Sequence, residues 1–432
     1  MIQRHHSNND DVSDVQFGYR KSRSTEFACA YLHDVITDFN SSGSPVFICG
    51  LDANKCFDTV WHDGLFYKLW SRIPTSHWIY LVTWYRNLKA MVKWNKQISD
   101  IFTVTIGTRQ GSILSPKLFN IFINDLLIEL RNSSYGLKIG SHLHNCFAYA
   151  DDITLFASTT SQLQSLIDIC YSYSVAWRFS FNISKSVCMT VGKIMFNEDP
   201  VWHLGNAVLN NVRELEILGV TYKRDMKPDL HVSKRIVKAR RSLYRYSGEG
   251  VCYPGLASDT KAYVWTMVGV PTLTYGCDCI NLSDSDLHKL ESTQATVIKS
   301  LVGISKRSHS SAILQALNIP KVRNIIKHDV CSLLRRICII SSPVRDLTLF
   351  HLSKYLVRGE TVRGTLVDRI VKFGLSPLAV LFDTSTGQGA SCNNELAGGG
   401  VVDSLRFMLL HKDYNNPYGH RRQLVSLLTK AF

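Results

Sequence analysis

The spacing of apolar residues changes several times along the first half of the chain. Val46 to Asp52, VFICGLD, is almost continuously apolar and ends in an acid, which predicts a buried strand. Phe102 to Gly107, FTVTIG, alternates and predicts an edge or half-exposed strand. Cys146 to Ser158, CFAYADDITLFAS, predicts two short strands meeting at an acidic pair. Helical spacing lies between these runs. Asp63 is the expected cap of a helix with Leu65, Phe66, Leu69 and Trp70 on one face. Ser115-Pro116 predicts a helix start, an N-cap serine followed by proline at the first helical position. Behind it Leu118, Phe119, Phe122, Leu126 and Leu130 supply an apolar stripe. This mixed order, from Asp11 to about Tyr222, predicts an α+β domain and not a doubly wound sheet.

The pattern shifts after Tyr222. Lys223, Arg224, Lys227, Lys234, Arg235, Lys238, Arg240, Arg241 and Arg245 crowd into one stretch, with Ile236, Val237, Leu243 and Tyr244 among them. The helical intervals of these apolar residues predict a basic helix, and such a density of like charge repels itself without an anionic partner. Further helical spacing runs from Ala262 to Lys306 and from Ala312 to Ile340, whereas Thr384 to Gly400 is rich in Gly, Ser, Asn and Thr and is expected to be a flexible connection.

Composition sharpens the picture in one respect. The 432 residues carry a formal net charge of +14, which favours a polyanionic partner such as nucleic acid. By charge alone, an ordinary solubilising surface explains the excess equally well. Hydrophobic content of 45% with 19% charged residues excludes an intrinsically disordered chain. The 12 cysteines are scattered, Cys277 and Cys279 being the only close pair, so reduced core thiols are expected and not a zinc finger or disulfide framework. MIQRHHSNND at the start does not read as a signal peptide, and no uncharged apolar run approaches a membrane span. An intracellular location without membrane contact is expected.

Asp52 closes one apolar run and Asp151-Asp152 interrupt another. Ionised carboxylates in such surroundings are costly unless positive charge compensates them. Three acids converging from neighbouring strands repel, and their pKa values climb unless a divalent ion neutralises them. An all-oxygen set suits magnesium, which keeps waters and takes further ligands from substrate phosphates. Two such ions support in-line nucleotidyl transfer. Taken singly, each motif has a plainer reading: an acid at a strand end is usually a turn residue, and an Asp-Asp pair often marks an exposed hairpin.

The neighbouring motifs change that balance. QFGYRKSRST (Gln16 to Thr25), LDANKCFDTVWHDGLFYKL (Leu51 to Leu69), GTRQGSILSPKLFNIFINDLL (Gly107 to Leu127), AYADD (Ala148 to Asp152), FNISKSVCM (Phe181 to Met189) and EILGVTY (Glu216 to Tyr222) occur in the order found in non-LTR retrotransposon reverse transcriptases. The sequence resembles the polymerase core of that family over roughly its first half. The resemblance implies a right-hand polymerase: an α+β palm with an antiparallel sheet, partial fingers, a helical thumb and a helical C-terminal extension. The implied divisions are a residual fingers segment over 1–45, palm over 46–225, basic helical thumb over 226–330, and an extension over 331–432 that includes the Gly-rich stretch.

The residues that match the motifs take expected roles. Asp52, Asp151 and Asp152, with the carbonyl of Ala53, would hold two Mg²⁺ ions, or Mn²⁺ in their place. Phe57 stands where the family keeps a ring against the sugar 2′ position; a core phenylalanine is the competing reading. Gln110 and Gly111 would lie against nucleotide and template, the missing Cβ of Gly111 permitting close approach. Lys185 would steady or protonate pyrophosphate. Arg20, Lys21, Arg23, Lys234, Arg235 and Lys238 are candidate nucleic-acid contacts. RNA template, DNA primer and deoxynucleoside triphosphates are the implied partners, and the nucleus the implied place of action.

There are departures from the family pattern. The chain starts just before QFGYR, without earlier finger motifs, and reads as an N-terminally truncated piece of a longer element. Asn54 and Cys56 replace the more usual small residues of the first catalytic motif. The expected function is RNA-directed DNA synthesis. Its alternatives are a catalytically silent nucleic-acid-binding remnant and an RNA-templated RNA polymerase, which the ring at Phe57 argues against.

Overall fold

The computed structural model describes residues 12–109, 111–192, 199–247 and 255–382. It divides into two compact units: Met1–Ala28 with Pro45–Arg213, and Cys29–Ser44 with Glu214–Phe432. Gln110 and the Gly-rich stretch lie outside the described residues.

The first unit is built on a six-stranded sheet. Its strands are β1 (Val46–Asp52), β2 (Cys146–Tyr149), β3 (Asp152–Ala157), β4 (Val187–Val191), β5 (Trp202–Leu204) and β6 (Ala207–Asn211), arranged β5-β6-β4-β1-β3-β2. Pairing is antiparallel except between β4 and β6, where Val187 faces Asn210 in a parallel register. β1 is central, which is why VFICGLD is apolar almost throughout: Val46 to Cys49 are all buried. The α+β expectation and its antiparallel sheet are met.

Helices cover the sheet. After α1 (Thr25–Ser41), which begins in this unit and continues into the second, come α2 (His62–Trp70), α3 (Thr75–Arg86), α4 (Ser115–Asn132) and α5 (Thr160–Ala176). α4 packs on α2, α5 and β2 with its predicted stripe, Leu118 to Leu130, buried. α5 packs on β1 and β3. Between α2, α4 and α5 sits a buried amine. Lys68 Nζ donates to the carbonyl of Phe122 and to the Tyr173 hydroxyl, pairs with Asp125 at 3.0 Å, and lies 3.6 Å from the Trp177 ring centroid. Burial pushes its pKa down to about 8, against the pull of Asp125.

Three local expectations are corrected. Asp63 lies inside the first turn of α2 and caps nothing, the N-cap being Trp61, and Trp70 is exposed, its ring against Trp78 at 4.6 Å. Leu114 is the N-cap of α4; Ser115 opens the helix and its hydroxyl donates instead to the carbonyl of Arg109. FTVTIG forms a strand only over Phe102–Thr103, pairing with Lys89–Ala90, and then bridges Ile106 to Trp61. Its side chains around this point are exposed, so little burial holds a longer ladder.

The second unit opens with a hairpin of β7 (Glu214–Ile217) and β8 (Val220–Lys223) and is otherwise helical. α6 (Asp229–Ser247) is the expected basic helix. It is followed by α7 (Ser258–Val264), a π-helical turn (Trp265–Gly269), α8 (Val270–Thr274), α9 (Asp284–Val302), α10 (Ser310–Ala316), α11 (Val322–Ile339), α12 (Pro343–Arg358), α13 (Leu366–Lys372) and α14 (Pro377–Phe382). α9 carries a Ser283–Asp286 capping box and ends on Gly303 at φ 73°, a left-handed conformation that suits glycine. At the heart of this unit Asp34, on α1, accepts from the Leu366 backbone and faces Arg369 at 3.5 Å. The Arg369 guanidinium also donates to the carbonyl of Asp278, and both partners of the ion pair are only 4% exposed. The described cysteines are all free and buried, as expected. Among the described residues no helix is long and apolar enough to cross a membrane.

Candidate active site

The register of the central strands brings the acids together. Asp52, the last residue of β1, stands directly opposite Asp152, the first of β3. Side chains on facing residues share one side of the sheet. β2 and β3 are joined by a two-residue turn, Ala150-Asp151, so all three acids cluster at one end of the sheet. Ala150 has φ 58°, and Asp151 does not share this sign, the pattern of a turn with only its first central residue left-handed. An alanine adopts such a φ at a cost of about 1–2 kcal/mol.

Beyond β1 the backbone is held by the FNISKS segment. Asn54 donates to Ser180, Ala53 bridges Phe181, and Asn182 donates to the Asp52 carbonyl at 2.7 Å. The Asn182 side chain accepts from both the backbone and the hydroxyl of Ser184, forming a tight Asx turn. That turn sets Lys185 Nζ 3.5 Å from Asp52 Oδ2. Ser186 is fully buried, and its hydroxyl accepts from the Asp52 N–H. The loop carrying Gly111 is tied to the other side of the motif: Thr108 donates twice to the carbonyl of Phe57, and Gly107 donates to Val60. A Cβ on Gly107 would sit 2.8 Å from the Asp58 carbonyl, so this loop closes on the Asp52 motif only with glycine there.

These segments enclose a cleft of about 440 Å³ lined by Asp52, Ala53, Phe57, Asp151, Asn182 and Lys185, among others. Asp152 is outside this lining but faces Asp52 across the strand pair. Although its side chain reaches solvent, the Asp152 carboxyl is raised to about 6, by burial first and then by the charges of Asp151 and Asp52, with Lys185 opposing them. The donor set therefore fits a hard divalent cation: carboxylate oxygens around a solvent-open cleft, mutually repelling, with their charge only partly countered. Among the described residues no three His, Cys, Asp or Glu groups already stand in metal-binding geometry. Magnesium is usually held by one or two carboxylates, waters and substrate phosphates.

The folded value of Asp152 exceeds the ordinary value near 4. This carboxylate therefore weakens folding as pH rises through the interval from about 4 to about 6, and does so fully above it. Without divalent ions, Asp152→Asn is expected to raise the melting temperature at pH 8 and to change it less at pH 4.5. An equal change at both pH values in thermal melts would show that charge crowding is absent.

The other expected site residues are placed as follows. Phe57 is half-buried, its ring 5.0 Å from Phe119 and 6.3 Å from Tyr19 by centroids. Gly111 has φ 78° with open space where a Cβ would lie, so its own backbone conformation, not protein crowding, calls for glycine. Arg20 donates to the carbonyls of Ser13 and Gln16, and Arg23 to that of Asp14, so both brace their own loop; Lys21 is exposed. Lys234 and Lys238 flank Glu216 at 3.4 and 3.7 Å. Arg235 turns inward: it is 7% exposed, donates to the carbonyl of Thr272 and covers the Tyr275 ring, which leaves no room for a phosphate. Sequence reasoning took Arg235 for a nucleic-acid contact because a buried arginine and a surface one look alike in a basic run. It also missed Gln16 and Ser186, whose side chains meet backbone groups distant in sequence, and Asn182, whose N–H reaches Asp52 while its side chain closes a local turn with Ser184.

Residues 1–222 match the family described as reverse transcriptase (RNA-dependent DNA polymerase). The RNA-directed DNA polymerase from mobile element jockey of Drosophila funebris is 25% identical over 286 residues, covering 65% of this chain and 31% of that protein. The probable polymerase from transposon X-element of Drosophila melanogaster is 23% identical over 300 residues, 67% of this chain and 32% of its own length. The chain thus spans about a third of these relatives. Apo telomerase of Candida tropicalis is a distant structural likeness, with 11% identity, coverage of 99% of this chain and 58% of that one, and a TM-score of 0.40. On the family match over more than half its length, this chain belongs to the reverse transcriptase (RNA-dependent DNA polymerase) family, as a non-LTR retrotransposon member.

Proposed function

We propose that the chain is the polymerase core of a retrotransposon enzyme that extends a DNA primer on an RNA template, with Asp52, Asp151 and Asp152 binding two divalent ions, Mg²⁺ or Mn²⁺. The observation that carries this reading is the register, which sets Asp52 opposite Asp152 with Asp151 in the adjoining turn. Bound there, the ions would activate the primer 3′-hydroxyl and stabilise the leaving pyrophosphate in an in-line displacement. The Ala53 carbonyl, on the cleft wall, is the proposed further ligand. Lys185, held beside Asp52 and largely exposed, is the proposed group that meets the charge of the leaving phosphates. Gly111 offers bare backbone to the nucleotide or template, with Gln110 as its proposed neighbour in that role. The sheet is the proposed palm (46–225), and α6 opens the proposed thumb (226–330), where exposed Lys238, Arg240 and Arg241 favour phosphate contact together with Lys234. Lys21, exposed among the described residues of the N-terminal loop, is a further proposed phosphate contact in the same scheme.

Phe57 fits the sugar gate because its ring is fixed between Tyr19 and Phe119 while still lining the cleft. Phe57→Ala is expected to raise ribonucleotide incorporation relative to deoxynucleotides by roughly 10- to 100-fold, the range that steric discrimination in a pocket supplies. Single-nucleotide incorporation kinetics decide this, and an unchanged preference removes the gate.

The function itself is tested with purified protein, a primed RNA template, deoxynucleotides and Mg²⁺. Extension that disappears in Asp151→Ala is expected. No extension by the parent, with a salt-sensitive RNA affinity indifferent to alanine at the three acids, would favour the binding-only reading.

A further inference from the structure

Gln16, which opens the QFGYR segment, has no assigned task, and it is fully buried. Residues 15–17 run along the free edge of β2. Ala148 donates to the carbonyl of Val15 at 2.9 Å, and Phe17 donates to that of Ala148 at 2.8 Å, a parallel bridge centred on Gln16. At the end of this bridge the Gln16 side chain reaches the hairpin turn. Its Oε1 accepts from the Ala150 N–H at 2.9 Å and from the Gly18 N–H at 2.9 Å, while its Nε2 donates to the Ala150 carbonyl at 3.3 Å. One amide thus meets both backbone polar groups of the residue with the left-handed φ. Gly18 permits the approach, since a Cβ there would lie 2.3 Å from the Ala150 nitrogen. The carbonyl of Gly18 is fixed in turn by Asn120, a buried residue of α4, at 2.9 Å.

We infer that Gln16 is a positioning residue of the metal site: it clamps Ala150 in its left-handed conformation and so aims Asp151 into the cleft. The inference rests on the polymerase reading above. Gln16 touches neither substrate nor metal; its effect passes through one peptide unit. Without the amide, the buried N–H and C=O of Ala150 lose their partners, and an alanine relaxes toward negative φ. The next residue, Asp151, turns with it.

The signature is a weaker metal site in a folded chain, relieved by glycine at the turn. Gln16→Met is expected to raise the Mn²⁺ concentration for half-saturation, read by electron paramagnetic resonance without substrates, by roughly 10- to 100-fold. Primer extension should fall with it, and added metal should restore part of the rate. Ala150→Gly in the Gln16→Met background should recover most of the Mn²⁺ affinity, because glycine needs no clamp to hold a positive φ. Should Gln16→Met fail to fold by circular dichroism, Gln16→Asn, which keeps a buried amide but withdraws it by one methylene, carries the same expectation. Unchanged Mn²⁺ affinity in a folded variant overturns the inference, as does an affinity loss that Ala150→Gly leaves untouched. A parent that binds Mn²⁺ through Asp151 yet extends no primer defeats the polymerase reading alone, and the clamp is still decided by the titration. A parent that binds no Mn²⁺ defeats both.

Discussion

Alanine in place of Asp151 should lower primer extension by at least ~10³-fold, the order lost when a group stabilising transition-state charge is removed, while RNA affinity is not weakened. Asp151 sits in the turn between β2 and β3 and lines the cleft, outside the paired strands, so its replacement is expected to leave the sheet beneath it intact. The buried Cys56 thiol is close enough to feel this carboxylate: its pKa is raised chiefly by burial and then by the Asp151 charge. Asp52→Ala should cost as much, for a second reason: it also strips Lys185 of its partner at 3.5 Å. The two losses should not add in the double variant, because residues that hold one site act as a unit. Steady-state extension on a primed RNA, with binding measured separately, decides it. Additive losses would mean that the two acids serve different steps.

Replacing Arg369 by methionine should destabilise the helical unit by about 3–5 kcal/mol, the cost of leaving one half of a buried ion pair uncompensated. Arg369 holds the carbonyl of Asp278 and pairs with Asp34, each side chain being 4% exposed. Burial already raises the Asp34 carboxyl above its usual value, and Arg369 is the largest opposing influence. A carboxyl raised on folding weakens stability as pH climbs past its unfolded value near 4. Removing the guanidinium raises it further, so the loss should be greater at pH 8 than at pH 5. Asp34→Asn in the same chain should recover part of it. Denaturant unfolding at the two pH values provides the check, and a loss independent of pH would reduce Arg369 to a packing role.

What the sequence disclosed followed from burial. VFICGLD and CFAYADDITLFAS were legible as strands because both faces of a buried strand are apolar, and Leu118 to Leu130 as a helix because a single stripe meets the sheet. The acids stood out for the same reason, as charges inside apolar runs. What stayed hidden depends on partners far away in the chain. Nothing local shows that Gln16 reaches Ala150, 134 residues on, or that Lys68 lies over the Trp177 ring. Arg235 misled because composition counts charges without their directions. Helix caps slipped by two residues at Asp63 and by one at Ser115, because capping depends on the chain's entry angle.

The most direct measurement is a Mn²⁺ titration followed by electron paramagnetic resonance on the parent chain and on Asp52→Ala, Asp151→Ala and Asp152→Ala, each first shown to be folded. A convergent site should give saturable binding in the parent and a marked loss in each of the three variants. Equal binding by all four proteins would mean that the facing strands do not assemble a cation site, and the polymerase chemistry would have to be given up.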